Sequence, residues 1–118
     1  MKRILVVDDE VDILSIVKLI LLNHNFVVET LAKWQNIDST IQSFHPDLIL
    51  LDVSLGGADG RDICKQLKGV PETQHIPIII FSANHNLMNN LQGCIPNAVI
   101  TKPFDSSHLV KTILANLN

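Results

Sequence analysis

A three-layer α/β sandwich, one five-stranded parallel sheet with helices on both faces, is the fold class this sequence predicts. Two observations predict it. Short apolar runs alternate five times with longer amphipathic stretches, and strand–helix alternation of this kind calls for parallel strands joined by right-handed crossovers. No low-complexity tract, internal repeat or Pro/Gly-rich linker breaks the pattern, so the 118 residues read as one domain over 1–118.

The elements follow in order. Ile4-Leu5-Val6-Val7 is apolar throughout, as a strand covered on both faces is. Residues 10–23 suit a helix, with Asp12, Ser15 and Lys18 at helical spacing. Phe26-Val27-Val28 is a second strand, ending in Glu29-Thr30. Residues 36–44 suit a second helix, in which Ile37, Ile41 and Phe44 recur at intervals of four and three. Leu48-Ile49-Leu50-Leu51 is a third buried strand. Residues 59–68 form a helix that Asp59 can cap and that Gly69 and Pro71 stop. Pro77 opens a fourth strand, Ile78-Ile79-Ile80-Phe81. Residues 86–92 follow as a short polar helix. Asn84, Asn86, Asn89 and Asn90 in and beside it lower its helix propensity and predict a short or mobile element. Ala98-Val99-Ile100 is a brief fifth strand, and residues 106–117 make the last helix.

Composition excludes several function classes. The chain is 47% hydrophobic but only 4% aromatic, so its core must be aliphatic. Net charge is −3 and no basic stripe exists, which argues against direct nucleic-acid binding. The apolar run after Met1-Lys2-Arg3 meets Asp8-Asp9-Glu10 after four residues, far short of a signal-peptide core. The apolar stretch 13–22 carries Lys18 and is too short to span a bilayer. Cys64 and Cys94 lack C-x-x-C spacing and metal-ligand companions, and read as buried or half-buried free thiols. The five histidines are scattered, none at metal-binding spacing. A soluble, cytoplasmic protein with no membrane contact is expected.

The strand ends carry the chemistry. The first strand ends in Asp8-Asp9, the third in Asp52 and the fourth in Ser82, and Lys102 follows the fifth. Open α/β sheets bind ligands outside the carboxyl ends of their strands, so parallel strands gather these groups at one edge. Crowded carboxylates raise one another's pKa and need a cation. Lys102 supplies one charge, and a hard oxygen-seeking ion such as Mg²⁺ would complement the rest. A carboxylate can also act as a nucleophile and form an aspartyl-phosphate, while Mg²⁺ and a lysine neutralise phosphoryl oxygens in transit. Taken singly, each residue has a plainer reading: Asp-Asp as a helix cap, Asp52 as a loop residue, Lys-Pro as a surface turn.

Taken together these residues resemble the response-regulator receiver domains, from Arg3 to Leu117. The matching stretches are residues 4–10 (Ile-Leu-Val-Val-Asp-Asp-Glu), 46–55 (Pro-Asp-Leu-Ile-Leu-Leu-Asp-Val-Ser-Leu), 59–60 (Asp-Gly), 76–83 (Ile-Pro-Ile-Ile-Ile-Phe-Ser-Ala) and 101–104 (Thr-Lys-Pro-Phe). The resemblance implies a flavodoxin-like sheet of order 2-1-3-4-5. It implies a signalling switch that catalyses only its own phosphorylation and dephosphorylation. Asp52 would be the phosphoacceptor, and Asp8, Asp9, Asp52 and the main-chain carbonyl of Ser54 would hold Mg²⁺. Ser82 would bind the phosphoryl group and shift with it, and Lys102 would pair with a phosphoryl oxygen. Ala83 would leave access to Asp52, and the Lys102–Pro103 peptide is often cis in relatives. The donor would be a phosphohistidine on a sensor histidine kinase or a histidine phosphotransfer protein, docking around Ile13 and Ile16 and the loop after the fifth strand. The output would be altered binding to a downstream protein by a monomer or weak dimer without an output domain.

Three departures bear on the readout. Val99 stands where many relatives carry Tyr or Phe, so the switch pair of Ser82 and position 99 lacks its ring. The interval from Ser82 to Lys102 is short and contains Ile95-Pro96 where relatives commonly have Gly-Ala. Gly56 replaces a common Pro beside Gly57, loosening the loop after Asp52. Leu19 and Leu22 read as packed under a neighbouring loop in preference to a docking face. Two alternatives stand beside the receiver. A phosphorylation-independent pseudo-receiver would need a defective acid pocket, whereas all four charged residues are present. A phosphatase with an Asp nucleophile would need a second acid two residues on, where Ser54 stands.

Overall fold

Residues with continuous apolar side chains form the interior of a parallel sheet because both of its faces are covered. In the computed structural model, which describes residues 1–83 and 90–117, the strands are β1 (Arg3–Val7), β2 (Val27–Leu31), β3 (Leu48–Asp52), β4 (Ile78–Ser82) and β5 (Ala98–Thr101). The described helices are α1 (Val11–Leu22), α2 (Ile37–Phe44), α3 (Gly60–Lys68) and α4 (Ser106–Asn116). All strand pairs are parallel, in the order β2-β1-β3-β4-β5 that the resemblance implied.

Alternation along each strand sorts the core into two halves. Leu5, Val7, Ile49, Leu51, Ile78 and Ile80 face α2 and α3, where Ile41, Phe44, Ile63 and Leu67 meet them. Ile4, Val6, Leu48, Leu50, Ile79 and Phe81 face α1 and α4, against Leu14, Val17, Leu21, Leu109 and Ile113. Every residue of β3 and β4 is buried. The helices begin and end for local reasons. Asp59 accepts the Arg61 N–H at 2.8 Å and caps α3, and Asp105 accepts the His108 N–H at 2.7 Å and caps α4. The left-handed His45 (φ 54°) closes α2 ahead of Pro46.

Three expectations need correction, and one element is additional to them. The second strand runs on through Glu29 and Thr30 to Leu31, so those residues lie inside it. As the edge strand of the sheet, β2 tolerates the exposed Glu29. A single 3-10 turn, Trp34–Asn36, precedes α2 and was not foreseen. Residues 86–89 of the predicted polar helix, and with them its shortness or mobility, lie outside the described residues, but its predicted end is not helical. Gln92 and Gly93 both take positive φ (53° and 85°), which a right-handed helix cannot continue through. Leu19 and Leu22 are 63% and 48% exposed: the core takes the Leu14, Val17 and Leu21 stripe of α1 and leaves them outside. No helix among the described residues is long and apolar enough to cross a membrane.

Candidate functional site

The carboxyl edge of the sheet collects its polar groups as parallel strands must. Asp8 follows β1 and is fully buried; its N–H donates to the Leu31 carbonyl at 3.1 Å. Its Oδ1 accepts the Glu10 N–H at 2.9 Å, which turns the chain into α1. Asp52 ends β3 and Ser82 ends β4, and both are buried. Lys102 follows β5, anchored by its N–H on the Ser82 carbonyl at 2.7 Å, and its bond to Pro103 is cis. From there its ammonium reaches between two strands, 3.0 Å from Asp8 Oδ2 and 3.3 Å from Asp52 Oδ2, with Glu10 Oε1 at 4.0 Å. It also lies 4.7 Å from the centre of the Phe81 ring, whose face favours a cation.

The charges do not cancel. One carboxylate oxygen from each of Asp8, Asp9, Glu10 and Asp52 lies within 4.8 Å of the others. Burial first, then the neighbouring Asp8, push the Asp52 carboxyl up from its ordinary 3.8 to about 6, against the pull of Lys102. Burial opposes the charge on Lys102 too, but its bonds to Asp8 and Asp52 outweigh this and hold its pKa above the usual lysine value. An all-oxygen donor set with surplus negative charge fits a hard divalent cation.

The loop after Asp52 is shaped around it. The Ser54 N–H points to Asp52 Oδ1 at 3.4 Å, and Ser54 bridges to Asp59. The Gly60 N–H donates to the Val53 carbonyl at 2.7 Å, and a Cβ at Gly60 would run into the Asp52 carbonyl oxygen. Gly56 (φ 54°) lies where a Cβ would come 3.3 Å from Asp9 Oδ2.

Of the residues expected at the site, Asp8, Asp9, Asp52 and Lys102 are brought together, with Ser82 and Ser54 at the adjoining strand ends. Val99 sits apart, opposite Ile80 in β5 and half-buried against the α2/α3 side of the core. Sequence reasoning missed Glu10 as a fourth carboxylate, Phe81 as the ring beside Lys102, and Gly60 as the residue that lets α3 close on Asp52. The signals were present: Glu10 stands two residues after Asp8, Phe81 one before Ser82, and Gly60 follows the cap.

Fold and edge together define a flavodoxin-like α/β domain with an acidic, lysine-containing pocket at its switch point. The family model described as the response regulator receiver domain matches residues 4–114, and the chain belongs to that family. It is thus a receiver domain of two-component signalling, a phosphorylatable switch of a family that binds Mg²⁺ at an acidic pocket. The phosphate regulon transcriptional regulatory protein PhoB of Rhizobium meliloti (strain 1021) is 30% identical over 117 residues, 98% of this chain and 52% of that protein. The chain therefore spans about half the length of that relative. Among solved structures, the signal receiver domain of a signal transduction histidine kinase from Syntrophus aciditrophicus superposes with a TM-score of 0.90 at 27% identity, covering 99% of this chain and 90% of that one. The chemotaxis response regulator CheY4 of Vibrio cholerae gives 0.90 at 24% identity, covering 99% of both, a likeness of fold.

Proposed function

We propose that Asp52 accepts a phosphoryl group from a phosphohistidine on a sensor histidine kinase or histidine phosphotransfer protein, in a Mg²⁺-dependent reaction, and that the modified chain signals by changed binding to a downstream protein. The observation that carries this is the Lys102 ammonium set between the buried carboxylates Asp8 and Asp52, 3.0 and 3.3 Å away. A structural salt bridge needs one carboxylate, whereas a second buried acid raised to about 6 costs folding energy, a cost that functional sites commonly carry.

The chemistry follows from the residues. An Asp52 carboxylate oxygen forms a bond to phosphorus as the phosphorus–nitrogen bond of the donor breaks, and the imidazole nitrogen keeps the electron pair. Lys102, already paired with Asp52, can follow the incoming negative charge onto a phosphoryl oxygen. The Ser82 hydroxyl would donate to a second oxygen. Asp8, Asp9, Asp52 and the Ser54 carbonyl would hold Mg²⁺, which when bound offsets the charge of the phosphoryl group. Of the two α1 residues expected to meet a docking donor, Ile16 is exposed and suits that role, whereas Ile13 is half-buried against the core. Val99 has no ring to swing inward, so the readout does not run through an aromatic side chain at that position. The intact acid pocket favours this reading over a pseudo-receiver. The site is expected to work in the cytoplasm, in a monomer or weak dimer without direct contact to nucleic acid.

The test is phosphotransfer from a panel of labelled phosphohistidine proteins, with and without chelator. Label is expected to move onto this chain, and to stay on the donor in chelator or with Asp52→Asn. No transfer from any donor, with no Mg²⁺-dependent change in the protein, would instead support the pseudo-receiver.

A further inference from the structure

Away from the acidic edge, one stripe of α3 grips the irregular segment 90–97 that leads into β5. Arg61, Cys64, Lys65 and Lys68 lie at spacings of three and four, hence on one face of the helix. The Arg61 Nη1 donates to the Asn90 carbonyl at 2.7 Å. Lys65 lies along Gly93, where a Cβ would come 3.4 Å from its Nζ. The Lys68 ammonium donates to Asn97 Oδ1 at 2.8 Å and to the Ile76 carbonyl at 3.0 Å. The same Asn97 oxygen accepts the Ile78 N–H at 3.0 Å. Between these clamps Cys94 is held in the core on the α3 face that carries Cys64. The two are 3% and 0% exposed, share one core cluster, and each thiol is among the groups that shift the other's protonation.

We propose that Cys64 and Cys94 form a reversible dithiol–disulfide pair, oxidised by a peroxide, whose bridge fastens α3 to the segment entering β5. In the first step one thiolate attacks a peroxide oxygen, the O–O bond breaks, and a sulfenic acid and one water form. The second thiol then attacks the sulfenic sulfur, the S–S bond forms and a second water leaves. The two sulfurs together give up two electrons and two protons, which the peroxide takes up. Reduction by a small thiol restores the pair.

The closed seam reacts slowly, because burial first of all keeps both thiols protonated. Cys94 sits outside any helix or strand, held by side-chain clamps, so it is the thiol that local opening exposes. Oxidation thus captures the seam as it recloses and locks the approach to β5. The acidic edge takes no part in this chemistry, and the inference stands whether or not Asp52 is a phosphoacceptor.

Intact mass and peptide mapping after hydrogen peroxide treatment of the whole chain test it. The expected result is a monomer lighter by two hydrogens, a linked Cys64–Cys94 peptide, and recovery of both thiols with dithiothreitol. The link should also form in Asp52→Asn and be absent from Cys64→Ala and Cys94→Ala. The wild-type peptide map decides the question even where an alanine variant folds poorly. Oxygen addition at either sulfur without loss of two hydrogens, bridges only between chains, or thiols left intact by peroxide that oxidises glutathione in the same tube would each overturn the pair.

Discussion

At the carboxyl edge of the sheet Lys102 faces two buried carboxylates, with Asp9 and Glu10 crowding the same space. Along the α3 seam, Arg61 and Lys68 meet acceptors that are matched to them: Asp59 at 2.7 Å, two carbonyls, and the Asn97 amide oxygen. Both regions bring charged groups against the core, but Arg61 and Lys68 of the seam each meet oxygen acceptors, whereas the edge crowds like charges together. Hydrogen bonds to Arg61 hold the Asp59 carboxyl below its usual range, despite partial burial, whereas Asp52 is pushed up to about 6. A cluster whose charged donors all point at acceptors on neighbouring segments holds elements together. A cluster with surplus charge of one sign is poised to take up an opposite one, at some cost to the metal-free fold.

Substitutions should separate the two regions, the largest effect coming first. Lys102→Ala leaves Asp8 and Asp52 without their cation. Breaking a buried pair from one side costs about 3 kcal/mol or more, and urea unfolding at neutral pH in chelator should show a loss of that order. A loss below about 1 kcal/mol would mean that the edge is no more crowded with like charge than the seam.

Asp52→Asn should act in the opposite direction. A carboxyl raised from 3.8 to about 6 keeps its proton in the folded state where the unfolded chain has lost it. Stability therefore falls as pH rises from about 4 to about 6, and the cost stays constant above that. The amide that replaces the carboxyl does not titrate, so in chelator the variant should be more stable than the wild type at pH 8 by roughly 2–3 kcal/mol. The gap should close toward pH 4. A gap that is absent at pH 8, or wider at pH 4, would contradict the surplus charge.

The smallest effect belongs to the seam. Lys68→Ala removes bonds to Ile76 and Asn97, costs about 1 kcal/mol, and should speed peroxide oxidation of Cys94. Unchanged stability together with an unchanged oxidation rate would show that Lys68 does not hold the segment.

How much of this was legible in the sequence follows the same division. Continuous apolar runs exposed β1, β3 and β4 directly, because a strand buried on both faces needs no polar residue. Asp8, Asp52, Ser82 and Lys102 stood out as the polar residues at the ends of such runs. The edge strand β2 was read short, since Glu29 and Thr30 look like a strand's end when only one neighbour pairs with them. The seam was invisible. Its bonds join residues 29 positions apart, mostly to main-chain or amide oxygens that carry no sequence signal, and Cys64 and Cys94 had no telltale spacing. Gly60 entered only as part of the matching Asp-Gly stretch, and only the packed backbone shows why nothing larger fits over the Asp52 carbonyl.

The most direct test of the acidic edge is intact mass after incubation with Mg²⁺ and acetyl phosphate, beside Asp52→Asn and a chelator control. One added phosphoryl group on the wild type, absent from the variant and from the chelated sample, is the predicted result. An unmodified wild type, or a phosphoryl group that survives in Asp52→Asn, would contradict Asp52 as the acceptor.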